Sequence, residues 1–284
     1  MHRFTQVDVF TAIACLGNAL AVVHDADDLT DDQMAAFARW TNLSETTFLL
    51  RPTTAAADYR VRIWTTTGEL PFAGHPTLGS AAAWLAAGGI SSGTDVVQEC
   101  GVGLVTVRRG ERLAFAAPPL LRGGPVDAAD RQRVLDGLRL DPSRVLAMEW
   151  VDNGPKWIGV EVDSAQTVLA VSPDPARCRD LKVGVLGRYA ASAAAALGAD
   201  VEVRAFYADG ADFAEDPVTG SLNAGMAQWL IGAGRLPGSY VARQGTVLRR
   251  DGRVFINQIG ADIWIGGDTV AVVTGTLALE TASL

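Results

Sequence analysis

Lysine is nearly missing from this chain. Of 24 basic residues only Lys156 and Lys182 are lysine, and neither stands in a motif that cradles phosphate or forms a Schiff base. Cysteine is scarce too. Cys15, Cys100 and Cys178 show no Cys-x-x-Cys spacing, which excludes a disulfide framework and a structural zinc site. Of three histidines, His2 and His24 have no partner at a spacing such as His-x-x-x-His, so no bound metal is expected. No Gly-x-Gly-x-x-Gly separates a strand from a helix, and Ser221 lacks the Gly-x-Ser-x-Gly elbow of a hydrolase. No cofactor is expected.

No stretch reaches 18 apolar residues, so no membrane-spanning helix is expected. Val9 to Val23 is largely apolar, but Gly17 and Asn18 interrupt it and Gln6–Phe10 alternates like a strand, so it reads as folded chain rather than a leader. With unpaired cysteines, a reduced, cytoplasmic location is the expectation. Basic residues are also outnumbered, 24 against 32 acidic, for a net charge of −8. Such a surface repels phosphate backbones and anionic lipid, which argues against nucleic acid or membrane as partner.

What is present is ordinary globular material: 284 residues, 49% hydrophobic and 20% charged, enough for one large domain or two lobes. An internal repeat favours two lobes. Tyr59-Arg-Val-Arg-Ile-Trp64 echoes Val201-Glu-Val-Arg-Ala-Phe206, with Arg62 and Arg204 in register. Gly-His-Pro-Thr-Leu-Gly-Ser at 74–80 echoes Glu-Asp-Pro-Val-Thr-Gly-Ser at 215–221, and 108–115 echoes 249–256. The three matches keep one order at nearly constant spacing. Residues 1–120 are expected to form an N-terminal lobe and 121–284 a C-terminal lobe, whose last strand can cross to the first. Pro118-Pro119 and Gly123-Gly124-Pro125 mark the connection.

Within the first half the pattern predicts strands at 6–10 and 19–23, a helix at about 30–40 opened by Thr30 and Gln33, and strands at 46–51 and 59–64. A small-residue helix from about Pro76 to Ala87 and strands at 94–100, 103–109 and 112–116 follow. The second half predicts strands near 145–152 and 156–163, a helix at 177–196, a strand at 201–207 and a helix from Pro217 to Ile231. Strands at 240–248, 252–259, 262–266 and 269–275 close it. The fold class is α+β: two pseudo-symmetric lobes, each a mixed sheet wrapped around a central apolar helix.

Both central helices are nearly uncharged and follow a polar residue and proline, His75-Pro76 and Asp216-Pro217. Two such helix starts meeting at a cleft would hold a small carboxylate, with Gly74, Gly79 and Gly220 allowing close backbone approach. Glu45, before the apolar Phe48-Leu49, is a candidate general base. Taken singly, each residue has a plainer structural reading: Glu45 as a loop glutamate, His75 and Asp216 as caps, Ser221 as a first-turn hydroxyl.

Several stretches together resemble the phenazine-biosynthesis (PhzF-like) isomerase/epimerase family, which has the diaminopimelate-epimerase fold. They are Val-Asp-Val-Phe-Thr (7–11), Gly-Asn-Ala-Leu-Ala-Val-Val (17–23) and Asn-Leu-Ser-Glu-Thr-Thr-Phe (42–48). Glu-Leu-Pro-Phe-Ala-Gly-His-Pro-Thr-Leu-Gly (69–79), Asn-Gly-Pro (153–155) and Glu-Asp-Pro-Val-Thr-Gly-Ser (215–221) complete the set. The resemblance implies cofactor-free proton shuttling on a small anionic substrate. Glu45 would move the proton; His75, Asp216 and Ser221 would hold substrate or relay protons; Gly74, Gly220, Thr219 and Pro76 would contact the substrate. It also implies a homodimer. Where related epimerases carry two facing cysteines, His75 and Asp216 are expected here. The alternative is a protein on the same fold that binds a small molecule without turnover.

Overall fold

A computed structural model of the chain describes residues 1–209 and 212–279. They form two units, Met1–Ala116 with Gly266–Leu284, and Ala117–Ile265.

The first unit contains β1 (His2–Val9), β2 (Asn18–Val23), α1 (Asp31–Thr41), β3 (Glu45–Leu50), β4 (Tyr59–Trp64) and β5 (Glu69–Leu70). It continues with α2 (Gly74–Ala86), β6 (Val96–Cys100), β7 (Gly103–Arg109) and β8 (Leu113–Ala116), and the chain returns to it as β18 (Thr269–Leu277). Its sheet runs β18-β1-β2-β3-β4-β6-β7-β8 and is antiparallel except at β2–β3 and β4–β6. The short β5 hairpins onto β4.

The second unit opens with β9 (Arg122–Pro125), α3 (Ala128–Leu138), β10 (Val145–Asp152), β11 (Ile158–Val162), α4 (Ala165–Ala170) and β12 (Lys182–Arg188). After it come α5 (Ala191–Leu197), β13 (Val201–Asp209), β14 (Asp212–Asp216), α6 (Gly220–Gly232), β15 (Ser239–Gln244), β16 (Gly252–Ile259) and β17 (Asp262–Gly267), whose last two residues belong to the first unit. Its sheet runs β9-β10-β11-β12-β13-β15-β16, parallel only at β11–β12 and β13–β15. The hairpin strand β14 lies on β13. The seven strands of this sheet repeat the order and directions of the first seven of the other, and even β18 beside β1 has its counterpart in β9 beside β10. The fold is α+β, a mixed sheet around one apolar helix, made twice.

The central helices explain their own composition. From Gly74 to Ala83 nearly every residue of α2 is buried, and the helix lies against β1, β2, β3, β6, β7, β8 and β18. Helix α6 lies likewise against β10, β11 and β16. Close approach is permitted at the sixth residue of each. A Cβ on Gly79 would sit 2.6 Å from Leu20 Cδ2, and one on Gly225 2.4 Å from the Val151 carbonyl oxygen. Opposite faces of the sheets carry amphipathic helices. Met34, Phe37 and Ala38 of α1 bury Val23, Phe48 and Trp64; Val134, Leu135 and Leu138 of α3 and Val168 of α4 cover Ile158, Val160, Val183 and Val185. At the start of α1 the expected capping box is formed: Thr30 N–H donates to Gln33 Oε1 at 2.7 Å and Gln33 N–H to Thr30 Oγ1 at 3.3 Å.

Several expectations are corrected. The helix expected at 177–196 is a strand, β12, followed by the seven-residue α5. The alanines at 191–196 do form α5, whereas Lys182–Arg188 holds no alanine; Gly184 and Gly187 are weak helix formers, Val183 and Val185 suit a strand, and β11 and β13 pair with it on either side. Helices α3 and α4 are not among the expected elements, and α3 begins three residues after the Gly123-Gly124-Pro125 connection. The strand expected at 240–248 stops at Gln244 and gives way to a 3₁₀ turn, Thr246–Leu248. The 108–115 echo runs from the end of β7 into β8, and the 249–256 echo from the turn before β16 into its first five residues, so those segments are not equivalent. Among the described residues no helix is long and apolar enough to cross a membrane.

Candidate active site

Glu45 opens β3 and His75 is the second residue of α2. The parallel pairing of β2 with β3 and the seating of α2 on both strands bring them together, with His75 Nδ1 3.5 Å from Glu45 Oε2. His75 is 5% exposed. Burial pushes its pKa down to about 3, against a smaller upward pull from a hydrogen bond with the Ala19 backbone. The imidazole is therefore neutral near pH 7, and among the described residues its Nε2 has no hydrogen-bond partner. Ala73, the residue before α2, supplies no side-chain cap, and the first turn carries no acid, so its N–H groups face no competing carboxylate of their own helix.

In the second unit Asp216 is the last residue of β14, Thr219 the N-cap of α6, Gly220 its first residue and Ser221 its second. A buried glutamine assembles them. Gln244 Oε1 accepts from Thr219 N at 3.1 Å and from Asn223 Nδ2 at 2.9 Å. Its Nε2 donates to the Asp216 carbonyl at 3.0 Å and to Thr219 Oγ1 at 2.9 Å. Because the Thr219 backbone can only donate and the Asp216 carbonyl only accept, the amide orientation is fixed. The Thr219 hydroxyl then has one role left, donating to Asp216 Oδ2 at 2.6 Å. Ser221 Oγ accepts from Trp157 Nε1 at 3.0 Å, and Asn153 Nδ2 donates to the Ser221 carbonyl at 2.9 Å.

Asp216 is not at a helix start, contrary to expectation. Helix α6 begins four residues later, and the counterpart of His75 is Ser221, each the second residue of its helix. At Gly79 the missing Cβ makes room for Leu20 and Val9. Pro76 lies buried in the first turn of α2.

The better register was visible in the sequence at an offset of 146. Glu69-x-Pro71-x-x-Gly74 repeats as Glu215-x-Pro217-x-x-Gly220, and Gly79 and Gln98 repeat as Gly225 and Gln244. Gln98 plays the part of Gln244 in the first unit: it takes a bond from Tyr59 Oη at 2.9 Å and gives one to Thr77 Oγ1 at 3.1 Å. Strand pairing gives one more equivalence. Phe48 lies opposite Arg62 and Val185 opposite Arg204, so Glu45, three residues earlier, corresponds to Lys182. The duplication kept the frame and left the carboxylate on one side alone.

A family model described as phenazine biosynthesis-like protein matches residues 7–275. The chain belongs to the PhzC/PhzF family. It is 32% identical to antisense-enhancing sequence 1 of Schizosaccharomyces pombe over 96% of this chain and 98% of that one. Over 83 residues, 29% of this chain and 30% of the relative, it is 51% identical to the trans-2,3-dihydro-3-hydroxyanthranilate isomerase of Pseudomonas aeruginosa. The crystal structure of the PhzF-family protein of Bacillus anthracis superposes with a TM-score of 0.81 at 20% identity, covering 98% of this chain and 99% of that one. This PhzF-family member is an enzyme of the isomerase class.

Proposed function

We propose that the protein is a cofactor-independent isomerase that moves a proton between carbons of a small carboxylate-bearing metabolite, with Glu45 as general acid and base. The observation that supports this most directly is the contact of Glu45 with a buried, neutral His75. As a carboxylate, Glu45 takes a proton from a C–H made acidic by neighbouring unsaturation. The electron pair left on carbon spreads into that system, and the carboxyl returns the proton at a different carbon, so no atom or electron is gained or lost. His75, neutral and buried, lies beside that carboxyl and adds no charge to it; Asp216 and Ser221 bind or relay; Gly74, Pro76, Thr219 and Gly220 contact the substrate. Three free thiols are consistent with a cytoplasmic enzyme, and Val272 and Val273, exposed on β18, are a candidate contact for a homodimer.

The test is exchange with solvent. Incubated in deuterated water with trans-2,3-dihydro-3-hydroxyanthranilate, the compound for which the P. aeruginosa relative is named, the wild type should place deuterium on carbon. Glu45→Gln should abolish this with the fold intact, as read by mass spectrometry and circular dichroism. Exchange undiminished in Glu45→Gln refutes the assignment.

A further inference from the structure

The Asn153-Gly154-Pro155 turn has no part in the proton shuttle, yet its geometry is tightly specified. Asp152 Oδ1 accepts from the backbone N–H groups of Gly154 and Lys156, both at 2.7 Å. Gly154 and Lys156 take φ of +137° and +67°, values that side chains disfavour. Val151 N–H closes the turn by donating to the Trp157 carbonyl at 3.0 Å. The outcome is that two side chains, Asn153 and Trp157, reach the first turn of α6, and both end on Ser221. Trp157 is 4% exposed while Ser221 is half-buried.

An indole N–H donates and never accepts. Ser221 Oγ is therefore the acceptor in its 3.0 Å contact with Trp157, and the hydroxyl proton must turn elsewhere. Among the described residues no protein oxygen takes that proton. We infer that Trp157 is a positioning residue. It locks the Ser221 hydroxyl as a donor toward the substrate oxygen on which negative charge gathers as the C–H proton leaves, while Asn153 holds the Ser221 backbone. A donor fixed in advance stabilises that charge without reorganising during the reaction. The inference rests on the reading above that Ser221 touches substrate.

Trp157→Phe keeps an aromatic ring in the buried site and removes the N–H together with the five-membered half of the indole. With trans-2,3-dihydro-3-hydroxyanthranilate in deuterated water, it should lower kcat for exchange about tenfold, as one lost hydrogen bond implies, and leave KM within about twofold. Ser221→Ala should lower kcat at least as far, and the double variant no further than Ser221→Ala alone, because Trp157 acts only through that hydroxyl. Additive losses, or Trp157→Phe at wild-type kcat, overturn the inference. Full activity in Ser221→Ala removes Ser221 from the site and this role with it, and leaves Glu45 unaffected. A wild type that exchanges nothing sinks the functional reading and takes the role down too. Should Trp157→Phe fail to fold, the seven indole N–H resonances of wild type and Ser221→Ala decide the contact itself: one must move, and none moving overturns it.

Discussion

Arg204 grips Glu215 with two parallel bonds, Nε to Oε1 at 2.9 Å and Nη2 to Oε2 at 2.7 Å, and both side chains are nearly buried. Its remaining Nη1 caps the end of α4 through the Val171 and Val168 carbonyls. Arg62 holds Glu69 in the same two-pronged way at 2.7 and 2.6 Å, and reaches Asp31 at the start of α1. The two pairs differ in burial: side-chain exposure is 4% and 11% in the first, 17% and 37% in the second. Arg204→Met strands Glu215 away from water and should cost about 3–5 kcal/mol. Arg62→Met leaves Glu69 solvated and should cost about 1 kcal/mol or less. Urea denaturation separates them, and equal losses would contradict the role given to burial.

The same arginines show how much of this fold was legible. Arg62 and Arg204 anchor a true repeat, and the apolar helices, the capping box and most strands followed from local pattern. The registration of the halves did not. Arg62 and Arg204 lie 142 positions apart but Glu69 and Glu215 146 apart, because the second hairpin is four residues longer. That insertion misaligned His75 with Asp216 instead of Ser221. Strand β12 was misread for another reason: the alanine run of α5 extends a helical pattern backward over Lys182–Arg188, whose own valines and glycines suit a strand paired on both sides. Gln98 and Gln244 look like any polar residue in a strand until the four bonds of Gln244 around the start of α6, and the bond of Gln98 to Thr77 of α2, are known.

His75 makes stability depend on pH. Its folded pKa, about 3, lies below the ordinary value of 6.5. Between those values the unfolded chain binds the extra proton, so stability is full above pH 6.5 and falls as the pH drops toward 3. His75→Gln removes this contribution. From pH 7 to pH 4 the wild type should lose about 3 kcal/mol more than the variant, by denaturant unfolding at each pH. Parallel pH profiles would mean the imidazole is not buried neutral.

Two glycines of α6 should respond with opposite sign. A methyl on Gly225 meets the Val151 carbonyl oxygen at 2.4 Å and Val151 Cβ at 3.2 Å, so β10 must move; Gly225→Ala should cost about 1–3 kcal/mol. Gly232, the last residue of the same helix, has nothing within 4 Å of its absent Cβ, and alanine there should be neutral or gain about 0.5 kcal/mol. Thermal unfolding distinguishes them. If Gly225→Ala were harmless, α6 would not lie as close to β10 as drawn.

Gln244 holds Thr219 N–H, Thr219 Oγ1, Asn223 Nδ2 and the Asp216 carbonyl at once, and is fully buried. Methionine at 244 fills the space but satisfies none of the four, and groups so stranded cost about 1–3 kcal/mol each. Partial relaxation lowers the sum, so Gln244→Met should destabilise by at least about 3 kcal/mol. Gln98→Met, with two partners released, should cost about half as much. Gln244→Glu separates the two halves of the amide. A carboxylate still accepts from Thr219 N–H and Asn223 but cannot donate to Thr219 Oγ1. The Thr219 hydroxyl is then free to turn its proton from Asp216 Oδ2 to the new carboxylate, and Asp216 loses the bond that fixes its orientation. Loss of exchange activity in Gln244→Glu, beyond its loss of stability, would tie Asp216 to the reaction; activity that falls only as the protein unfolds would make this network a scaffold alone.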